Sequence, residues 1–271
     1  MKKSHWKAIT IAIVVLCCTI ALYTSPYSCS KRITNAIDNG KTSEFEQIVQ
    51  RNSRGINYQY YRTNLYRLYE GTNFYPLHYA CDAGNVHMVR ILLENGADPN
   101  VIDRMINRSP LIFALESGKA DRFKIAHLLI DYGADITYED KRGFTPLISS
   151  LLLTYDDSEK TKREEFELFK RILEAYGIDK AKKEPILQEA ATFGNRLAVD
   201  YILKNNIQNI NYISDEGETP LMGTAFTNDD EMCRYLLENG ADKSIRDNEG
   251  KTAYDYAVQY GHKEVAELCK E

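Results

Sequence analysis

Apolar residues recur at helical spacing in short segments that glycine separates. Between Asn73 and Asn100, a first segment opens at Pro76, which suits the first turn of a helix because its missing N–H would have no partner there. Gly84 ends that segment, and a second apolar stripe follows at Val86, Val89, Leu92 and Leu93. Gly96 then supplies a left-handed stop. The pattern predicts two short antiparallel helices joined by a tight turn.

The same order of signals returns along the chain. Helix openings resembling Thr-Pro-Leu start successive copies, and Gly-Ala-Asp turns close several of them. The steps between successive openings at Pro76, Pro110, Pro146, Pro220 and Ala253 are 34, 36, 74 and 33 residues, and the step of 74 holds two copies. A helix pair of this length cannot bury its apolar stripes alone, so we expect neighbouring copies to stack.

A period of ~33 residues and the signature T-P-L-H-x-A, present here as YPLHYA in Tyr75–Ala80, resemble the ankyrin repeat. The resemblance covers roughly residues 31 to 271. It implies an all-α fold, an ankyrin-repeat solenoid of helix-turn-helix units joined by hairpin-like loops. Two copies depart from the pattern, because an insertion splits the third and Ile186 replaces the opening proline of the fourth. The expected boundaries are a degenerate cap at 31–57, a Tyr-rich finger at 57–75, and repeats at about 71–103, 104–138, 139–180, 181–213, 214–246 and 247–271.

Residues 1–30 differ from the rest of the chain. Three lysines precede an uncharged run over residues 8–22, which is short for a membrane span and matches the apolar region of a secretory signal. Cleavage after Ser28-Cys29-Ser30, retention as a membrane anchor and lipid modification of a cysteine remain open. Each alternative places the repeats on the far side of a membrane.

Two segments interrupt the repeat pattern. Residues 57–75 combine six tyrosines with two arginines, and their alternation predicts an extended finger or hairpin. These rings either contact a partner, as tyrosine and arginine often do at interfaces, or close the top of the cap repeat. Residues 151–165 carry charges of alternating sign, which is typical of a solvated loop or a helix extension.

The sequence contains none of the common catalytic spacings. HExxH, GxSxG, GxGxxG and GxxxxGK[ST] are all absent, and the scattered cysteines match no metal-binding spacing. We expect Cys81 and Cys233 to be small buried side chains, while a disulfide involving Cys29 stays open. His78 is expected to tie neighbouring turns together. We therefore predict no enzyme, no cofactor, no metal and no small-molecule substrate, and the net charge of −5 argues against nucleic acid.

The resemblance implies a concave binding face built from finger tips and first helices. Residues just before the helix-turn glycine, such as Glu116, Phe226 and Tyr260, belong to the same face. Charge along the face changes from basic to acidic, which could orient a partner or could be chance. The predicted partner-binding residues are Tyr58, Tyr60, Tyr61, Tyr66, Tyr69, Phe74, Arg104, Arg108, Lys141, Arg142, Phe144, Asp215, Glu216 and Glu218.

These features predict a non-catalytic protein-binding module in the cell envelope, either periplasmic or anchored in the inner membrane. One concrete form is an inhibitor or immunity protein that occludes a secreted toxin. The alternative is a membrane-anchored scaffold of envelope components. An undetected enzyme would need clustered ionisable side chains on the concave face, and the finger positions show no such cluster.

Overall fold

The computed structural model describes residues 25–62, 72–103, 107–152 and 158–270. The chain divides into two compact units, Met1–Gly143 and Phe144–Glu271. The predicted export or anchor segment at 8–22 lies outside the described residues, as do Tyr66, Tyr69 and Arg104. Nowhere in the described ranges is a helix both long and apolar enough to cross a bilayer.

The first unit stacks helix pairs on one another. Its elements are α1 Pro26–Asp38, α2 Thr42–Arg51, a 3-10 turn at Ser53–Gly55, β1 Tyr60–Arg62, β2 Thr72–Phe74, α3 Pro76–Asp82, α4 Val86–Glu94, α5 Pro110–Glu116 and α6 Arg122–Asp131. α1 packs against α3 and α3 against α5, while α2 packs against α4 and α4 against α6. First helices therefore stack on first helices, and second helices on second helices.

The second unit repeats this arrangement. Its elements are α7 Pro146–Ser149, α8 Glu159–Tyr176, α9 Ile178–Ala181, α10 Ile186–Thr192, α11 Arg196–Lys204, α12 Pro220–Thr227, α13 Asp230–Glu238, α14 Ala253–Tyr260 and α15 Lys263–Cys269. In the row of first helices, α10 packs against α7 and α12, and α14 packs against α12. In the row of second helices, α8 contacts α11, and α13 contacts α15.

Polar caps explain where the helices begin. Ser109 and Thr145 each accept a hydrogen bond from the backbone N–H three residues on, and proline follows each of them. Asn85 caps the second helix α4 in the same way, through the Met88 N–H. The turn before that cap needs Gly84, whose φ of +68° is a conformation that side chains disfavour.

Asparagine side chains join successive repeats at the outgoing turns. Asn100 donates from Nδ2 to the Gly133 carbonyl at 3.1 Å and accepts from the Asp135 N–H at 2.7 Å. Asn57 and Asn211 make the same pair of contacts to the next Gly-Ala-Asp turn along the chain. Each asparagine thus satisfies two backbone groups of its neighbour and sets the spacing between two repeats.

His78 also joins two repeats, as the sequence predicts. The imidazole is fully buried, and its Nε2–H donates to the Arg108 carbonyl at 3.1 Å. Phe74 stacks on it with 5.6 Å between ring centroids, and Phe113 meets it edge-on at 5.7 Å. Burial lowers the pKa of His78 from 6.5 to about 4, against the opposing effects of the Arg108 carbonyl and Asp103.

The structure changes one boundary and adds detail to the two interruptions. α1 begins at Pro26, five residues before the expected domain start, because Ser25 caps it and proline occupies its first turn. Cys29 and Ser30 of the candidate cleavage site are buried in that helix. β1 and β2 pair antiparallel at the base of the Tyr-rich finger, in agreement with the predicted hairpin. The second part of the charged insertion belongs to α8.

The cysteines in the described ranges are free and buried thiols. Cys81 and Cys233 are fully buried, as expected for small apolar side chains. Cys29 makes no disulfide in the described part of the chain. The Cys233 and Cys269 sulfur atoms lie 3.7 Å apart between α13 and α15.

We expect stability to fall as the pH drops from about 6.5 toward 4. The unfolded chain binds a proton at His78 below an ordinary pKa of about 6.5, whereas the folded protein resists it until about pH 4. Protons therefore favour unfolding in this window, by about 2 kcal/mol between pH 7.5 and pH 5. Urea unfolding of wild type and His78→Gln at both pH values measures this loss, because glutamine keeps an N–H donor but does not titrate.

His87→Gln is the matched control, since His87 is exposed on α4. It should keep the pH dependence of the wild type. An equal loss of stability in wild type and His78→Gln would contradict the assignment to His78.

Candidate functional site

The predicted basic residues of the first unit are already paired within the chain. The Arg142 guanidinium contacts both Glu116 and Asp140 at 2.6 Å. The Arg108 guanidinium lies 4.2 Å from the centroid of the Phe113 ring and 3.8 Å from the Glu116 carboxylate. Carboxylates thus contact both arginines, and the Phe113 ring also packs against Arg108. These contacts reduce the positive charge that this stretch offers to a partner.

The other predicted residues of the first unit lie in different surroundings. Phe74 is buried in the aromatic cluster around His78, so its ring belongs to the core. Tyr58 and Lys141 are exposed, and Tyr60 and Tyr61 lie in β1. Phe74 is therefore not part of an exposed binding face.

The acidic finger of the second unit reaches a cavity. Asp215 and Glu216 are exposed, and their carbonyls accept hydrogen bonds from Asn248 of the next finger. Glu218 is half-buried and lines the cavity. Phe144, at the start of this unit, is half-buried but not part of the lining. Glu218 is thus the predicted residue that the structure places in a concave site.

The cavity has a volume of about 220 Å³ and lies across three successive first helices, α10, α12 and α14. That volume is smaller than the ~300–1,000 Å³ of small-molecule sites, so it suits one side chain better than a whole ligand. Its lining residues are Gln188, Glu189, Thr192, Glu218, Met222, Gly223, Phe226 and Tyr256.

The repeat pattern places a glycine beside this cavity where the first unit has aromatic rings. The fourth residue of the first helix is Tyr79 in α3 and Phe113 in α5, and both rings are packed against neighbours. The equivalent residue of α12 is Gly223, which has no side chain to fill the position. Its backbone also lies so close to α10 that an added Cβ would come within 2.2 Å of the Thr192 hydroxyl. The absence of a side chain at Gly223 thus permits the close packing of the two helices beside the cavity.

The polar groups of the cavity are mostly hydrogen-bond acceptors. The Gln188 Nε2–H donates to Glu218 Oε2 at 2.6 Å. Gln188 Oε1 is buried and, among the described residues, meets no hydrogen-bond donor. Burial and the nearby Glu218 raise the pKa of Glu189 above its ordinary value. Neither carboxylate makes an ion pair within the described part of the chain.

Aromatic rings border the cavity. Phe226 is 52% exposed and Tyr260 is 45% exposed, and their rings meet edge-on with 4.9 Å between centroids. The Tyr256 hydroxyl donates to Asp247 at 2.6 Å, which fixes that ring. Lys251 is the basic side chain near this ring, 5.4 Å from its centroid, and it pairs with Glu249 at 2.8 Å.

Sequence reasoning missed Gln188, Glu189 and Tyr256. The repeat register could have placed two of them at the site, because Glu189, Gly223 and Tyr256 are the fourth residues of α10, α12 and α14. Ile186 stands at the position of the opening proline in α10, so this register is readable from the sequence. The arrangement can bind a group that donates hydrogen bonds, but it presents no activated nucleophile. No cluster of three or more metal-ligating side chains occurs in the described ranges.

Glu189→Gln is expected to stabilise the folded protein at pH 7. Because folding raises the pKa of Glu189 above the ordinary 4.5, the ionised carboxylate disfavours the folded state once the pH exceeds that value. Neutral glutamine removes this cost, with a gain of about 0.5–2 kcal/mol. Urea unfolding at pH 7 and at about pH 3.5 measures it, and the gain should disappear at the lower pH because Glu189 is then protonated in both states.

Glu216→Gln is the control, because Glu216 is an exposed glutamate of the same unit outside the cavity. It should change stability little. A Glu189→Gln protein less stable than the wild type at pH 7 would contradict the prediction.

Comparison with known proteins agrees with the repeat architecture. The chain is similar to the ankyrin repeat protein FPV230 of fowlpox virus (strain NVSL), with 29% identity over 69% of this chain and 93% of the relative. It is also similar to the ankyrin repeat protein YahD of Escherichia coli (strain K12), with 26% identity over 70% of this chain and 91% of the relative. The crystal structure of the human ASB11 ankyrin repeat domain superposes with a TM-score of 0.61 over 88% of this chain and 97% of that domain, at 21% identity, and shows the same fold.

The family model for ankyrin repeats (3 copies) matches residues 33–140, 160–247 and 187–271. These matches extend over more than half of the sequence and include both compact units. Ankyrin repeats indicate a module for protein–protein interaction. The chain therefore belongs to the ankyrin-repeat family.

Proposed function

We propose that this chain is a non-catalytic binding module of the cell envelope that holds a partner protein against the first helices of its second unit. The exposed pair Phe226 and Tyr260 beside the acidic cavity is the observation that carries the proposal. Exposed aromatic rings next to a pocket are typical of interface hot spots, where a few residues supply most of the binding energy.

An inhibitor or immunity protein is the concrete form of this proposal. Such a protein needs to occupy a surface of a secreted toxin and needs no chemistry of its own. The N-terminal apolar run supports an envelope location, and the fold supports binding without catalysis. A partner captured by this chain should then be toxic on its own and harmless when bound.

Replacing the aromatic pair is expected to weaken the partner complex. The test is co-purification from the source cells with the full chain tagged at its C-terminus, as wild type and as Phe226→Ser/Tyr260→Ser. Loss of a hot spot costs about 2 kcal/mol or more, so binding should weaken at least about 30-fold. A binding titration with the identified partner measures this factor.

Ile178→Ser/Leu197→Ser is the matched control, because both residues are exposed apolar side chains of the same unit away from the cavity. It should bind like the wild type. Equal binding by all three proteins would rule out the aromatic pair, and repeated capture of only housekeeping envelope proteins would count against the inhibitor form.

The proposed envelope location predicts that the chain exports an enzyme fused to its C-terminus. A periplasmic alkaline phosphatase fused to the C-terminus of the full chain should be active, because the enzyme needs an oxidising compartment to form its disulfides. Deletion of residues 1–22 should abolish that activity while leaving the fusion in the cytoplasm. Activity that is independent of these residues, or absent with them, would refute the location. The mass of the mature chain then distinguishes a cleaved signal from a retained anchor.

A further inference from the structure

We infer that the cavity across α10, α12 and α14 receives one arginine side chain of the partner protein. The inference rests on the proposed function and names the chemistry of the group that the partner supplies. Four observations carry it: the unpaired acceptor on Gln188, the two carboxylates, the size of the cavity and an arginine site within the first unit.

The unpaired acceptor indicates a missing donor. Gln188 lines the cavity and is 8% exposed, and its buried Oε1 accepts no hydrogen bond from any described residue. Its Nε2–H already donates to Glu218, so the amide orientation is fixed by that contact. A buried acceptor without a partner costs about 1–3 kcal/mol, which a donor entering from outside would recover.

The charge of the lining indicates that this donor is a cation. Glu189 and Glu218 line the same cavity, and the described lining contains no basic side chain. Lys251, whose ammonium lies 5.4 Å from the centroid of the Tyr256 ring, is held by Glu249 at 2.8 Å. An incoming cation would offset the repulsion between the two carboxylates and satisfy the Gln188 amide oxygen at the same time.

The geometry favours arginine over lysine. Three acceptor side chains converge here, and a guanidinium offers five N–H donors in one plane, whereas an ammonium is a point charge with three donors. A guanidinium also stacks on aromatic faces, and Phe226 and Tyr256 both line the cavity. A space of about 220 Å³ accommodates one such side chain.

The first unit already contains this interaction between parts of its own chain. Arg108, two residues before the opening proline Pro110, places its guanidinium 4.2 Å from the centroid of the Phe113 ring and 3.8 Å from the Glu116 carboxylate. In the repeat that opens at Pro220, the residue equivalent to Arg108 is Glu218, and the one equivalent to Phe113 is Gly223. These two positions thus carry a carboxylate and a glycine beside the cavity, where the first unit carries its own arginine and a ring.

The test uses the purified full chain and three blocked tripeptides, glycine–X–glycine, in which X is arginine, lysine or citrulline. Nuclear magnetic resonance follows the Gln188 side-chain amide and the Gly223 backbone amide during each titration. We expect the arginine peptide to shift both signals, the lysine peptide to bind at least about tenfold more weakly, and the neutral citrulline peptide not to bind.

Two variants and one matched control test the carboxylates. Glu189→Gln and Glu218→Gln should each weaken the arginine peptide at least about tenfold, because each leaves the cation with one charged partner fewer. Glu216→Gln removes the same charge from the same finger outside the cavity and should bind like the wild type. Glu189→Gln is informative because it should gain stability while it loses binding, so a folding defect cannot explain the result.

The inference is overturned if the lysine peptide binds as well as the arginine peptide, if both carboxylate variants bind like the wild type, or if no peptide shifts either amide. Those results leave the proposed function standing when the partner still co-purifies through Phe226 and Tyr260. Failure of the wild type to capture any specific partner would instead refute the proposed function, whatever the peptides do.

Discussion

The asparagine contacts between successive outgoing turns are the interaction on which the stacking in this chain depends. Each helix pair has apolar faces that it cannot cover alone, so the fold exists only if neighbouring pairs lie at a fixed spacing. Asn57, Asn100 and Asn211 fix that spacing by satisfying a carbonyl and an N–H of the next turn. His78 and His262 add further ties, through the carbonyls of Arg108 and Ala225.

The two units use equivalent positions of the repeat for different purposes. In the first unit, aromatic rings fill the groove beside the first helices, and ion pairs within the chain hold Arg108 and Arg142. In the second unit, Gly223 stands at the position of those rings, and Glu189 and Glu218 line the cavity beside it with no basic side chain in the described lining. The second unit thus combines the unsatisfied Gln188 acceptor, two carboxylates and the exposed Phe226 ring at one cavity, and these are features that an external partner can complete.

The unfavourable ionisation of Glu189 connects stability with function. Burial and Glu218 raise its pKa, so the folded chain carries an electrostatic cost at neutral pH. Functional sites often carry such costs, because the groups that bind a partner cannot also be fully satisfied in its absence.

The sequence by itself determined the helix pairs, their caps and the repeat register, because those depend on local signals such as Thr-Pro-Leu openings, Asn or Asp caps and glycines with positive φ. It also identified His78 as a tie between repeats, and it predicted a binding role for Glu218. Only the tertiary structure decided which side chains have partners within the chain and which face a cavity. Arg108 and Arg142 pair with carboxylates brought near by stacking, Phe74 enters the core, and Gly223 becomes the floor of a cavity. Packing between repeats sets these outcomes, since they depend on which side chains from neighbouring repeats meet, and local spacing does not contain that information.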